Sequence, residues 1–182
     1  MVNMRTWIRV VGALSGLAAP SVSHADAIAT VEQPDHVTEA TVTVDAPPAR
    51  VYELVTDYAR WPAILSDVTS VTVKSGGRRD ATVRFRSRAL EHEVTVVFDN
   101  EVDREIRFHG IDGPPGGRAD GSYVLEPIDG GTRTRVTVHL YMDVVGVTGV
   151  FVRGSTLRSM RQAKLRADLT DVTRWFASHP TA

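Results

Sequence analysis

The stretch GSTLRSMRQAKLRADLTDVTRWFA, residues 154–177, decides the fold. It predicts one long helix. Gly154 interrupts the chain before it, Ser155 offers an N-cap side chain, and no Pro or Gly follows until Pro180. At about 1.5 Å per residue such a helix spans roughly 30 Å, the width of a small domain. Steps of 100° place Leu165, Leu169, Val172 and Phe176 on one side, and Leu157, Met160, Ala163, Ala167 and Trp175 widen the apolar arc past half the circumference. A helix this broadly apolar has to be wrapped. Four charges, Arg161, Lys164, Asp168 and Asp171, fall inside that arc. The cations lead and the aspartates follow, against the helix dipole. Lys164 and Asp168, four apart, are placed to pair.

The wrapping comes from upstream, where residues 41–143 are dominated by alternating, β-branched segments. Val37–Ala46 reads as the first strand, with Val42 and Val44 on one face. Pro48 opens a short helix through Asp57, and a second helical piece, Tyr58–Leu65, carries Trp61 and packs it on the sheet's end. Further strands are predicted over Val68–Lys74, Ala81–Ala89, Glu91–Asp99, Glu105–Gly110, Ser122–Pro127 and Thr132–Asp143. Ser75–Arg78 and Asp129–Gly131 are hairpin turns, and Asp112–Arg118 is an exposed loop at one edge of the sheet.

Alternation then assigns faces. The concave set is Val83, Phe85 and Ser87; His92, Val94, Val96 and Phe98; Ile106 and Phe108; Tyr123 and Leu125; Val136, Val138, Leu140 and Met142. The convex set, including Arg84, Glu93, Glu105, Arg107, Arg135 and His139, reads as a solvated face whose opposite charges pair between strands.

Residues 1–25 are a different kind of segment: Arg5 and Arg9, an apolar run over Val10–Ala19, Pro20, then Ser23, His24 and Ala25. This predicts a secretory signal peptide cut after Ala25, with an uncleaved anchor as the alternative, and hence a periplasmic or secreted protein. Residues 26–36 read as a flexible linker and 37–178 as the folded domain. Losing Arg5 and Arg9 takes Lys plus Arg from 21 to 19 against 22 Asp plus Glu, a net charge of −3 that does not suit nucleic acid. With no Cys there is neither a disulfide nor a thiolate metal site.

Several motifs carry a family resemblance: Val42–Tyr52 with its Asp45-Ala46-Pro47-Pro48 core, Val55–Pro62, Gly121–Pro127 and Gly131–Arg133. With the element order they resemble the START-like superfamily, also called SRPBCC or Bet v 1-like, and most closely its polyketide cyclase/dehydrase and coenzyme Q-binding branch. The resemblance spans residues 41–177. It implies an α+β helix-grip fold, a curved antiparallel sheet wrapped around the C-terminal helix with two short helices after the first strand. It also implies a deep apolar cavity between sheet and helix that holds lipids, quinones, sterols or polyketides.

On that basis the ligand-contacting residues are Val83, Phe85, His92, Val94, Val96, Phe108, Tyr123, Leu125, Val138, Leu140 and Met142 from the sheet, with Leu157, Met160, Arg161 and Lys164 from the helix. Arg161 or Lys164 would meet an anionic or carbonyl-bearing head group. His92 and Tyr123 are the side chains able to do acid–base chemistry or hold a ligand carbonyl. No Gly-x-Ser-x-Gly elbow or zinc helix occurs, and no cofactor is called for. The apolar, glycine-containing stretch 144–153, with Arg153 and Arg158 nearby, suits a lid or a transient membrane contact. The functional reading is a monomeric, non-catalytic carrier of a hydrophobic small molecule or lipid. A cyclase or aromatase-like enzyme is the first alternative, and an interaction module whose cavity is filled by its own side chains is the second.

Overall fold

The computed structural model describes residues 28–33, 36–88, 92–144 and 154–180. The expected signal peptide, its cleavage site and the stretch 145–153 lie outside the described residues. Eight strands form one antiparallel sheet in the order β1-β2-β8-β7-β6-β5-β4-β3. They are β1 (Ala29–Glu32), β2 (Val37–Val44), β3 (Val68–Gly76), β4 (Asp80–Ser87), β5 (Glu93–Glu101), β6 (Glu105–Asp112), β7 (Gly117–Ile128) and β8 (Arg133–Val144). Between β2 and β3 run α1 (Pro48–Val55), a single 3₁₀ turn (Tyr58–Arg60) and α2 (Trp61–Ile64). The long helix, α3, covers Gly154–Ser178. Among the described residues no helix is long and apolar enough to cross a membrane.

Three expectations change. Residues 29–32, read as part of a flexible linker, form a strand that pairs antiparallel with β2. Four residues are too few to show a period, and the pairing is set by the turn through His36, whose φ is +65°. Ser155 is not the N-cap, because the helix already includes Gly154. The Asp112–Arg118 loop joins β6 and β7, which are interior to the sheet, so it lies at no sheet edge.

Parity places the core as expected. On β2 the buried positions are Thr38, Ala40, Val42 and Val44, and on β8 Thr134, Val136, Val138 and Leu140. Pairs across strands match the convex assignment: Arg107 with Asp99 at 3.3 Å and Arg135 with Glu126 at 3.4 Å. These exposed pairs contribute little individually. Gly121 sits where β6, β7 and β8 meet, opposite Phe108 and Leu140. A Cβ there would fall onto the His139 carbonyl oxygen and the Phe108 ring, so glycine lets that ring lie flat on the sheet. On the outer edge, β3 pairs with β4 through two register breaks, between Val68 and Ser70 and between Val73 and Ser75.

How α3 is seated determines what the sheet leaves open. It packs on β2, β8, β1 and α2, so the concave surface of β4 to β7 is covered only in part. The aromatic rings line up there: Trp61 meets Phe85 and Phe98 edge-on, each at 5.7 Å between centroids, and the row continues through Phe108 to Tyr123. The indole of Trp61 donates to the Val55 carbonyl at 2.9 Å, which fixes the ring against the end of the sheet.

Candidate functional site

Between α3 and the concave face of β4–β8 lies a cavity of about 830 Å³. This volume is typical of small-molecule sites. Among the described residues no side chain fills the cavity, although Phe85, Phe98, Phe108 and Met142 all border it.

Eleven of the residues predicted to contact ligand line this cavity: Phe85, Val94, Val96, Phe108, Tyr123, Val138, Leu140, Met142, Leu157, Met160 and Lys164. Four do not. Val83 and Leu125 face the concave side but are sealed in the core at 0% and 3% exposure. Leu125 is closed off because α1 packs against β7 and β8. His92 is exposed, since β5 begins at Glu93 and the chain leaves the pleat before parity can turn the imidazole inward.

Arg161 is the fourth. At 2% exposure it donates to the Thr38 hydroxyl at 2.8 Å, to the Met142 carbonyl at 2.8 Å and to the Glu32 carboxylate. Its guanidinium is therefore committed to β1, β2 and β8. Thr38 also donates to Glu32, at 2.5 Å. Burial alone would raise the Glu32 carboxyl, but the Thr38 and Arg161 hydrogen bonds and the charges of Arg161 and Arg158 outweigh it and hold the group below its ordinary value.

Sequence patterning misses two parts of the wall. One comes from the helical connection, where Leu54, Val55, Trp61, Ile64 and Leu65 close one side. The shared face of Val51, Leu54 and Val55 signals burial, but not which neighbour they meet. The other is the β6–β7 loop, where Gly113, Pro114 and Pro115 border the mouth beside the exposed Ile111 and Met160. A Gly-Pro run has no period, so its inward side leaves no trace in the sequence.

The polar end of the cavity is built on α3. Lys164 Nζ lies 2.8 Å from Asp168 and 3.4 Å from Asp67, and Ser87 donates to Asp67 at 2.6 Å. One turn further on, Asp171 accepts the Ser66 amide and hydroxyl, both at 2.7 Å, and pairs with Arg174. The two inward aspartates are each 5% exposed, so the charges that sequence placed in the apolar arc do point inward.

Burial pushes the Asp168 carboxyl up, and the neighbouring Asp67 and Asp171 add to the rise that Lys164 opposes. For Lys164 burial acts to lower the ammonium, but the Asp168 and Asp67 carboxylates prevail and the net direction is upward. Tyr123 is pushed well up by burial and then by Asp168, so its phenol stays protonated. Among the described residues no group of three or more His, Cys, Asp or Glu side chains could hold a metal ion.

The sequence profile of a family described as polyketide cyclase/dehydrase and lipid transport matches residues 35–175. No curated protein matches the chain. Among solved structures, a START superfamily protein from Mycobacterium smegmatis is similar with a TM-score of 0.69 at 14% identity, covering 78% of this chain and 97% of that one. The Zhui aromatase/cyclase from Streptomyces sp. R1128 is similar with a TM-score of 0.65 at 22% identity, covering 80% of this chain and 96% of that one. A Thermus thermophilus protein has a TM-score of 0.66 at 21% identity, covering 80% of this chain and 99% of that one. At these identities the likeness is one of fold, and the fold is the helix grip expected from the sequence.

Proposed function

This chain belongs to the polyketide cyclase/dehydrase and lipid-transport family of the START-like superfamily, and from that premise we propose that it is a non-catalytic carrier of a lipid or other hydrophobic small molecule. The observation that carries the reading is the cavity itself, about 830 Å³ and walled largely by Phe, Val, Leu, Ile, Trp and Met side chains. Each 100 Å² of apolar ligand surface buried there contributes roughly 2.5 kcal/mol to affinity. The N-terminal composition supports export, with the mature chain beginning at Asp26 and acting as a single copy in the periplasm or outside the cell.

Native mass spectrometry of the protein purified from its own host tests the carrier reading. A stoichiometric apolar adduct is expected, and Leu140→Trp, which projects an indole into the cavity, should lose it while the fold is retained. A clean apo mass together with no uptake of an offered apolar fluorophore would refute it. N-terminal sequencing of the same material tests export, with Asp26 as the expected first residue.

A cyclase-like enzyme is the second reading, favoured by the placement of Tyr123, Lys164 and Asp168 together on the cavity wall. It requires turnover of a bound polyketide-like substrate that Tyr123→Phe abolishes without weakening binding. A carrier shows no turnover to lose.

A further inference from the structure

The two halves of α3 are held in different ways. From Leu165 onward the helix buries Leu165, Leu169, Val172 and Phe176, and Asp171 takes the Ser66 amide and hydroxyl. In the first half, Gly154–Lys164, Leu157 and Arg161 are the buried side chains among the described residues. That half nevertheless roofs the cavity. Leu157, Met160, Ala163 and Lys164 line it, and Met160 borders the mouth together with Pro114 and Pro115. Passage of a ligand there depends on how firmly the half-helix is tied down.

The tie is polar and runs to β1. Alternation along that strand turns Thr30 and Glu32 inward and leaves Ala29 and Val31 exposed. Thr30 accepts from Arg166 at 2.9 Å, and Glu32 accepts from Arg161 with Arg158 3.8 Å away. Neither inward residue is apolar. Ile28, just before the strand, supplies the apolar contact with the core. The strand itself is four residues long and has β2 as its one neighbouring strand among the described residues.

A short border strand held by polar groups is the kind of element that opens below the global unfolding free energy. Lifting it returns Glu32 to water, which costs less than deleting Arg161 and leaving the carboxylate buried. No residue of β1 lines the cavity. An effect of β1 on the ligand is therefore an effect on rate, not on contact.

We propose that β1 is a strap that gates ligand exchange. Paired with β2 and with Glu32 on Arg161, it holds the first half of α3 over the cavity; peeled away, it frees that half to swing off the mouth. This rests on the carrier reading and adds to it how the ligand enters and leaves.

Stopped-flow mixing of the full chain with the fluorophore N-phenyl-1-naphthylamine, over a range of concentrations, gives association and dissociation rates together. Glu32→Gln should raise both by about tenfold, the weight of one charge-assisted hydrogen bond, and leave their ratio nearly unchanged. The complementary test locks the strap. The chain has no Cys, and Val31 and Glu39 are directly paired between β1 and β2. Val31→Cys with Glu39→Cys thus sets two thiols within the Cα range of a disulfide. Oxidised, this variant should exchange fluorophore more slowly by about fivefold or more, and dithiothreitol should restore the wild-type rates in the same sample. If Glu32→Gln unfolds, the cross-link decides alone. Exchange in a folded Glu32→Gln within about twofold of wild type, or equal rates in the oxidised and reduced cross-link, overturns the proposal. A rise in dissociation without one in association also overturns it, because Glu32 would then act on affinity. Failure of the fluorophore to bind the wild type is a different result: it removes the carrier reading, and the strap with it.

Discussion

Arg161→Met separates a residue that binds ligand from one that holds the fold. The substitution keeps the apolar stem of the side chain and deletes a guanidinium that donates to Thr38, Met142 and Glu32 across three strands. Among the described residues Glu32 is then left as a largely buried carboxylate facing only Thr38 and the more distant Arg158, 3.8 Å away. Breaking one side of such a pair costs about 3–5 kcal/mol. For a domain of this size that lowers the melting temperature by roughly 10 °C or more.

The pH dependence has a definite sign. The folded Glu32 carboxyl lies below its unfolded value, so its stabilising contribution is complete above the unfolded value, near 4.3, and is lost as pH falls through the folded one. The difference between wild type and Arg161→Met should thus be full at neutral pH and shrink in acid. The assay is thermal unfolding at pH 7 and at pH 3, with fluorophore binding measured on the folded variant. A melting temperature within about 3 °C of wild type would refute the structural role, by the conversion used above. Loss of binding by a well-folded variant would return Arg161 to the ligand site.

Lys164→Met removes the ammonium that opposes the rise of the Asp168 carboxyl, so that carboxyl should rise further. A folded value above the unfolded one stabilises at low pH and is lost as pH climbs through it, so the variant's deficit against wild type should be larger at pH 8 than at pH 5 in urea titrations. Gly121→Val should be destabilised by about 3 kcal/mol or more, since the new side chain meets a backbone carbonyl as well as the Phe108 ring. Chemical denaturation measures this, and the Phe108→Ala background, which removes the ring but not the carbonyl, should recover only part of the loss. Removing the exposed imidazole in His92→Ala should leave both stability and ligand uptake unchanged within error, as judged by melting and fluorophore titration.

Much of this was legible in the chain because it depends on period. Alternation placed Val94, Val96, Tyr123, Val138 and Leu140 on one face, and helical spacing showed that Arg161, Lys164, Asp168 and Asp171 point inward. Period fails at element ends and between distant segments. His92 continues the parity of Val94 but sits one residue outside the strand. Arg161 reads as a ligand anchor because its partner, Glu32, is 129 residues away in a stretch too short to announce itself as a strand. Once β1 is known, an inward arginine and an inward glutamate answer each other.

The two register breaks in β3 bear on what the sheet can be joined to. Beyond β3 a row of backbone amides and carbonyls has no strand beside it among the described residues. A second chain offering an extended segment would find regular pairing geometry only from Ser70 to Val73 before a bulge on either side threw it out of step. The opposite border, β1, is four residues long. Short borders and bulged borders are the means by which open sheets resist growing strand by strand into fibres. A sheet left unclosed to hold a cavity is in this way protected against extension at both of its margins.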